Sequence, residues 1–517
     1  MLQVGTVVAN RFELLKIAAS GGIGTVYQAH DRAQGRLVAV KLLKQLHPEH
    51  IQRFKREAEL LARLDAPGFV RYIDFGVLKG GQPFLATEWL NGEDLDARLA
   101  RGKLRIEDTI TLATKIATSL AIAHQHGVIH RDIKPSNLWL VDRDTSKPKI
   151  LDLGLARFID AARSSITSTG AIMGTPSYMS PEQARGGSNL DARTDVFSLG
   201  CVLYECLAGT PPFAGDQIMA ILAKIVFEDA PRVRNLRADV PRGLERLVQA
   251  MLSREPADRP RDAGAVAAAL TALHPSEVIR KISSRPPQPV LTHREQRVLC
   301  VLTATLQHNE QGDASETDNA GLMPNHEQLR AIAVKRGGRL ELLANGCLIA
   351  TFSSGGQAAD LALAAARTAL ALRPLIPNFC MALATGRAVV GDRVSIGEAV
   401  QRTAHLLELA SAGDIRVDAA SIGLLESRFV VENRLLVSER PTPSGERVLL
   451  GRPTTCVGRD WELATLGAAF SECVEESAAR VVLVTAAAGM GKTRVRYEFL
   501  HRSRTEGAAL CVGAGDP

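Results

Sequence analysis

His130-Arg131-Asp132-Ile133-Lys134-Pro135-Ser136-Asn137 decides how the rest of the chain is read. It sets a carboxylate at Asp132, a lysine two positions on and an asparagine five positions on. Upstream, Val38-Ala39-Val40-Lys41 reads as a strand ending in a lysine. Before it, Ala19-Ser20-Gly21-Gly22-Ile23-Gly24-Thr25-Val26-Tyr27 lies between two strand-like segments. Its glycines let backbone N–H groups approach a ligand with no Cβ in the way. A helical stretch from Pro48 to Leu64 carries Glu57 and Glu59. Downstream come Asp152-Leu153-Gly154, Gly174-Thr175 through Ser180-Pro181-Glu182, Asp195 through Gly200, and Arg259. The stretch from His130 to Asn137 is the strong signal. The Gly-rich run and Lys41 taken singly are weak, because a glycine-rich run is usually a hairpin turn and a lysine at a strand end is usually a solvated charge. Their order along the chain is what carries weight.

That order resembles the Hanks-type (eukaryotic-like) serine/threonine protein kinases of bacteria over about half of the chain. The resemblance implies a bilobal α+β kinase fold that uses ATP with Mg²⁺ or Mn²⁺ and a protein substrate. It makes Asp132 the acceptor of the substrate hydroxyl proton, Lys134 the cation on the γ-phosphate, and Asn137 and Asp152 the metal ligands. Lys41 would pair with the α/β-phosphates and with a carboxylate, Glu57 first and Glu59 second. Ala18, Ala19, Gly21, Gly22, Gly24, Val26, Ala39, Lys41 and Glu88 would line the ATP site. Thr87 to Leu90 would form the hinge against the adenine edge. Thr175 would hydrogen-bond near Asp132 and Lys134. Glu182 and Arg259 would form a structural ion pair. Three positions depart from the family pattern: Ala19 replaces the first glycine of the loop, Leu153 a phenylalanine, and Ser180 an alanine. Arg131 beside Asp132 implies pairing with a phosphorylated activation loop. Ser164, Ser165, Thr167, Ser168 and Thr169 are the candidates, Thr169 or Thr167 first.

Composition fits this reading. The 517 residues suggest two to four domains at roughly 100–200 residues each. A net charge of +6 over that length gives no argument for nucleic acid or membrane binding. The eight cysteines show no metal spacing and read as free, buried thiols of a reducing compartment. No basic and then apolar leader opens the chain, and no run reaches the roughly 18 apolar residues of a membrane span. The longest candidate, Gln357 to Leu372, is broken by Asp360 and Arg367 and reads as an Ala-rich amphipathic helix. The expected setting is the cytoplasm, with no nucleic-acid partner.

The expected domains are a kinase domain over 10–274, a Pro-rich basic linker over 275–294, a second domain over 295–432, a connector over 433–455 and a last segment over 456–517. The second domain reads strand, helix, strand, strand, helix, strand. On residues 297–306, 337–346, 384–391 and 397–405 it resembles the class III nucleotide cyclase domain, a ferredoxin-like α+β fold. Its chemistry is missing. No carboxylate lies near Thr303 to Thr305, and Asn345 stands at the second metal position. Gln401 and His405 stand where the resemblance expects an asparagine and an arginine. No cyclase activity is expected. Dimerisation or protein contact through this domain and a plain structural spacer are held equally.

The last segment opens with Cys456-Val457-Gly458-Arg459-Asp460-Trp461-Glu462-Leu463, which is similar to the first motif of AAA/STAND-type ATPases. Val481 to Thr485 reads as a buried strand, followed by a P-loop with Gly489, Gly491, Lys492 and Thr493, after which a helix begins. Ala486 replaces its first glycine. With so little chain beyond it, a truncated P-loop α/β segment of a longer parent is expected. Two rival readings remain for the whole. One is a nucleotide-binding pseudokinase scaffold, motivated by Ala19, Leu153 and the neighbouring domain without cyclase chemistry. The other is part of a signal-responsive ATPase regulator.

Overall fold

Period-two alternation shapes the N-terminal part. In β3 (Gly24–Asp31) buried Thr25, Tyr27, Ala29 and Asp31 alternate with half-exposed neighbours, the pattern of a strand with one covered face. The computed structural model describes residues 2–20, 24–43, 67–78, 81–151, 176–187, 189–215, 217–273, 295–306, 326–353, 357–390, 397–440, 448–449, 452–453, 456–486 and 490–505. They divide into two compact units, Met1–Ile422 and Gly423–Pro517. The stretch 48–64, with Glu57 and Glu59, the linker 275–294 and the five phosphosite candidates lie outside the described residues.

Among the described residues, β1 (Val7–Val8), β2 (Phe12–Ser20), β3, β4 (Arg36–Leu43), β5 (Tyr72–Val77) and β6 (Pro83–Glu88) form an antiparallel sheet in the order β1-β2-β3-β4-β6-β5. One face buries Phe12, Leu14, Tyr27, Val38, Val40 and Phe84. The register leaves Lys41 on the other face.

The large lobe starts with a small sheet of β7 (Gly92–Asp94), β8 (Leu138–Val141) and β9 (Pro148–Ile150). Helices follow and interleave: α1 (Leu95–Leu99), α2 (Ile106–Gln125), α3 (Pro181–Ala184), α4 (Ala192–Ala208), α5 (Ile218–Phe227), α6 (Arg242–Met251) and α7 (Ala263–Thr271). Every residue of α4 from Thr194 to Leu207 is buried, so this helix is the axis of the lobe. Asp191 caps its start, and Gly209, at φ 88°, closes its end with an N–H to the Glu205 carbonyl. Its buried polar groups are satisfied: Ser198 Oγ donates to the Tyr178 carbonyl (2.8 Å), and Tyr178 Oη donates to Glu205 (2.6 Å). Gly200 is required by packing, since a Cβ there would sit 2.9 Å from Met251 Cβ.

Arg259 and Glu182 meet as the sequence suggests. Two bonds, 2.8 and 2.9 Å, join them, and the arginine side chain is fully buried. Arg259 also donates to the carbonyls of Arg193, Ser253 and Arg254, and it stacks 4.9 Å from the Phe197 ring centre. Burial pushes the Glu182 carboxyl up, but the bonds and charge of Arg259 outweigh it and the net shift is down.

The second domain contains β10 (Glu295–Leu306), α8 (His326–Val334), β11 (Arg339–Leu342), β12 (Leu348–Phe352), α9 (Ala358–Leu372), β13 (Phe379–Val390), α10 (Gly397–Glu408) and β14 (Ile415–Val417). The first six follow the expected succession. The strands lie in the order β11-β12-β10-β13, all antiparallel, with β14 added parallel to β13. The reading of strand, helix, strand, strand, helix, strand omitted α10 and β14. The signal for α10 was there, with Val400, Thr403, Ala404 and Leu407 buried at helical spacing.

In the second unit β15 (Phe429–Glu432) and β16 (Leu435–Glu439) pair as a hairpin, and β17 (Val448–Leu449) pairs with β18 (Arg452–Pro453). Helix α11 (Asp460–Glu475) packs on α12 (Lys492–Thr505), with Phe470 and Phe499 edge to face at 6.2 Å. Two expectations fail. Val481 to Thr485 is neither strand nor buried: Val481 is 97% exposed and Leu483 84%. An apolar run becomes a buried strand only where neighbouring strands pair with it, and among the described residues of this unit none does. The cysteines are also not uniformly buried. Cys201, Cys206, Cys300, Cys347 and Cys380 are, whereas Cys456 and Cys473 are half-exposed, Cys473 on α11, whose single buried residue is Leu463; Cys511 lies outside the described residues. Among the described residues no helix is long and apolar enough to cross a membrane.

Candidate active site

The stretch 130–137 is an irregular loop between α2 and β8, closed by the 3₁₀ turn Pro135–Asn137. Buried Asp195, from α4, holds it from beneath. Its carboxylate accepts the N–H groups of His130 (2.8 Å) and Arg131 (2.7 Å) and meets His124 Nε2 at 2.9 Å. Arg131 adopts φ 67°, an uncommon conformation for a residue with a Cβ, so the loop carries strain that its surroundings must hold. Gln183 of α3 supplies part of that hold by donating Nε2 to the Arg131 carbonyl (2.9 Å). The same amide's Oε1 accepts the Ser180 N–H (3.0 Å), and Ser180 Oγ accepts the Gln183 N–H (3.4 Å). This capping box explains Ser180: it starts α3, and α3 aims Gln183 at the loop.

The loop presents three polar side chains together. Asp132 Oδ2 accepts from Lys134 Nζ and from Asn137 Nδ2, both at 2.9 Å. Asn137 Nδ2 also reaches the Asp132 carbonyl (2.8 Å). With its nitrogen so committed, the Asn137 carbonyl oxygen is the atom a cation would meet. The Asp132 side chain is 36% exposed, open enough for a substrate to reach. His130 Nδ1 accepts the Asp132 N–H (3.2 Å), so the proton is on Nε2, which donates to the Leu151 carbonyl (2.9 Å). The Leu151 N–H in turn donates to the main-chain carbonyl of Asn137 (2.8 Å), which leaves its side-chain Oδ1 untouched. These bonds fix the chain immediately before Asp152 against the loop, although Asp152 itself lies outside the described residues.

In the small lobe, strand register assembles the expected ATP-facing positions. Ala19 pairs with Val26, Val26 with Lys41, and Lys41 with Leu85, a row running across β2, β3, β4 and β6. Ala39, opposite Thr87, lies on the same face one pair further along. Ala18 lies in β2, while Gly21 and Gly22 fall outside the described residues. Gly24 is needed for close approach: a Cβ there would lie 2.2 Å from the Leu42 carbonyl oxygen. Glu88 carries a load that sequence reasoning missed. Its carboxylate binds Lys149 Nζ (2.9 Å) and the Arg71 N–H (3.0 Å), tying the hinge to the large lobe's small sheet. Its own N–H donates to the Arg71 carbonyl (2.9 Å), which adds a third bond at this point of the hinge. Gln183 and His124 were missed too, since nothing local in the sequence marks a contact with a loop far along the chain.

Residues 12–271 match the protein kinase domain family, half of the chain. The chain belongs to the protein kinase domain family. Serine/threonine-protein kinase PknA of Mycobacterium tuberculosis is 37% identical over 56% of this chain and 66% of that protein. The DNA damage-responsive serine/threonine-protein kinase RqkA of Deinococcus radiodurans is 40% identical over 53% of this chain and 41% of that protein. The matched region thus spans less than two thirds of either relative. The crystal structure of the Mycobacterium tuberculosis PknI kinase domain aligns at 25% identity with a TM-score of 0.42, covering 52% of this chain and 98% of that one.

The four positions named from the cyclase resemblance have these surroundings. Thr303 is buried with Oγ1 on the Ala382 carbonyl (3.4 Å), and Asn345 turns Oδ1 onto the Cys347 N–H (3.2 Å). Gln401 and His405 are exposed on α10, His405 beside Glu408 at 3.2 Å. In the last segment α12 begins at Lys492, as expected, and Lys492 Nζ donates to the Ala486 carbonyl. Gly491 has φ 86°, while Gly489 and the side chain of Thr493 lie outside the described residues.

Proposed function

We propose that this chain is a serine/threonine protein kinase that transfers the ATP γ-phosphoryl group to protein hydroxyls in bacterial signalling. The observation that carries it is the Asp132 carboxylate, oriented by Lys134 and Asn137 at 2.9 Å each and open to solvent. Asp132 takes the hydroxyl proton as the oxygen attacks, and Lys134 is close enough to meet the transferring phosphoryl. Asn137 and Asp152 are the residues to hold Mg²⁺ or Mn²⁺, which when bound neutralises phosphate charge. Lys41, in the row with Ala19 and Val26, meets the α/β-phosphates, with Glu57 as its carboxylate partner. The activation-loop cluster from Ser164 to Thr169 is the proposed site of autophosphorylation.

The test is phosphate transfer from labelled ATP by the full chain, with Mg²⁺ or Mn²⁺, beside Asp132→Asn. Label on the chain and on a Ser/Thr peptide, lost by orders of magnitude in the variant, is expected. Nucleotide binding without transfer would instead establish the scaffold reading.

We further infer that the second domain is a ferredoxin-like unit without cyclase activity. Its strand order β11-β12-β10-β13 and the neutral side chains at Thr303 and Asn345 support this. A chain pairing through that domain is tested by its mass in solution. The start of a P-loop at Gly491 and Lys492 is supported by the helix beginning there.

A further inference from the structure

Helix α5 is apolar on all sides but the one that carries Lys224. Its sequence Ile-Met-Ala-Ile-Leu-Ala-Lys-Ile-Val-Phe has one charged residue, Lys224, and buries Ala220 to Ala223 and Ile225 to Phe227. Such a helix needs cover on all sides but that one, and the large lobe supplies only part of it. The second domain supplies the rest. Met219 packs against Cys380, Ala382, Leu406 and Leu407, and its sulfur lies 3.2 Å from Cys347 Sγ. The apolar cluster of the large lobe continues into Leu299, Val301 and Ile349 of the second domain's sheet. Polar contacts ring this seam. Gln217 donates to Glu408 (2.6 Å), Arg339 lies 5.9 Å from the Phe227 ring centre, and Glu341 stands 3.9 Å from Arg185. The Ala344 N–H donates to the Ala184 carbonyl at the end of α3 (2.8 Å).

The seam lies beside the candidate active site. Ala184 directly follows Gln183, whose amide touches the carbonyl before Asp132. A folded partner covers about 800 Å² on the surface it meets, a patch on the order of 30 Å across. A folded substrate with its hydroxyl at Asp132 therefore needs the ground around α3 and α5, where the turn 343–347 is seated. A short peptide needs far less of it, and ATP none.

Building on the kinase reading, we propose that the second domain is a built-in cover: docked on α3 and α5, it admits peptides to Asp132 and holds back folded protein substrates. The sheet's apolar face and α5 fit each other, so the partner of this surface is the chain's own second domain.

The full-length chain tests this. Glu341→Arg sets a like charge against Arg185 and Arg339, and the double variant Arg185→Glu/Glu341→Arg restores an opposite pair. Leu343→Asp puts a carboxylate into the buried seam. Each is read by amide exchange over 218–227, and by phosphate transfer to a short Ser/Thr peptide and to a folded protein bearing that peptide in a surface loop. In the wild type slow exchange and poor transfer to the folded protein are expected. Glu341→Arg and Leu343→Asp should speed exchange and raise transfer to the folded protein on the order of tenfold, the scale of a modest coupling between sites, with peptide transfer unchanged. The double variant should return both readouts toward wild type. Should Leu343→Asp unfold the second domain, α5 is still uncovered and the same rise is expected. Fast exchange over 218–227 in the wild type, or faster exchange in the variants with no gain on the folded protein, overturns the cover while the kinase reading stands. Failure to label even the peptide refutes the kinase reading, and the cover with it.

Discussion

Gln183→Glu isolates the tie between α3 and the loop that holds Asp132. Glutamate is a natural third residue of a capping box, so its carboxylate still accepts the Ser180 N–H and α3 keeps its cap. In its ionised form it cannot donate to the Arg131 carbonyl, which then faces an oxygen instead of the N–H that stood at 2.9 Å. Gln183 is only 4% exposed, so water replaces the bond poorly. A neutral hydrogen bond is worth about 1 kcal/mol net, and an unsatisfied buried carbonyl costs about 1–3 kcal/mol. The domain, with about 5–15 kcal/mol of stability, should stay folded with a melting temperature a few degrees lower. Arg131 at φ 67° stores on the order of 1–3 kcal/mol of strain that this bond helps to contain, so its loss lets the loop relax and moves Asp132. Each ~1.4 kcal/mol lost from the oriented state is tenfold in rate, so kcat should fall about tenfold to hundredfold. KM for ATP should hardly change, because the row from Ala19 to Leu85 lies in the other lobe. Steady-state transfer to a peptide, with a thermal melt, measures both. A lowered melting temperature with undiminished kcat would refute the reasoning, since the tie would then serve stability alone.

Other consequences follow from the same geometry. Arg259→Leu strips the partner from Glu182 and leaves four acceptor carbonyl or carboxylate groups short of donors, so a loss of about 3–5 kcal/mol is expected in denaturant unfolding. Because the Glu182 carboxyl is held below its ordinary value of 4.5, its contribution to stability is full above that pH and is lost as pH falls through the lowered value. Glu182→Gln should therefore flatten the acid limb of the melting temperature against pH, and an unchanged limb would count against the pair. Gly24→Ala drives a Cβ onto the Leu42 carbonyl, so a raised KM for ATP and a lower melting temperature are expected, read by nucleotide titration and thermal melt. Burial pushes the thiols of Cys300 and Cys347 up to about 12 and those of Cys201, Cys206 and Cys380 upward. A thiol reagent near pH 8 should then label half-exposed Cys456 and Cys473 in the folded chain and those five only after denaturation, as peptide mapping would reveal.

Much of the site could be read from residue order because its chemistry is local. Asp132, Lys134 and Asn137 meet within one tight loop, and six positions are too few for the chain to separate them. The face of β4 that carries Lys41 was not legible, because Leu37 to Val40 are all apolar and only the burial in the folded sheet alternates. The ion pair of Glu182 with Arg259 was legible only through resemblance, since the two residues lie far apart in sequence. The run Val481 to Thr485 misled because apolar composition states what a segment can bury, while burial depends on neighbours that pair with it. By itself, then, the sequence determined the local constellation around Asp132 and the strand and helix periods. Only the tertiary structure decided that Asp195 and Gln183 hold a strained Arg131, that Glu88 is spent on Lys149, and that the largely apolar helix α5 is covered by the second domain. The reason is physical: short-range geometry is written in adjacent residues, whereas which buried surfaces meet depends on how distant parts of the chain complement one another in shape and polarity.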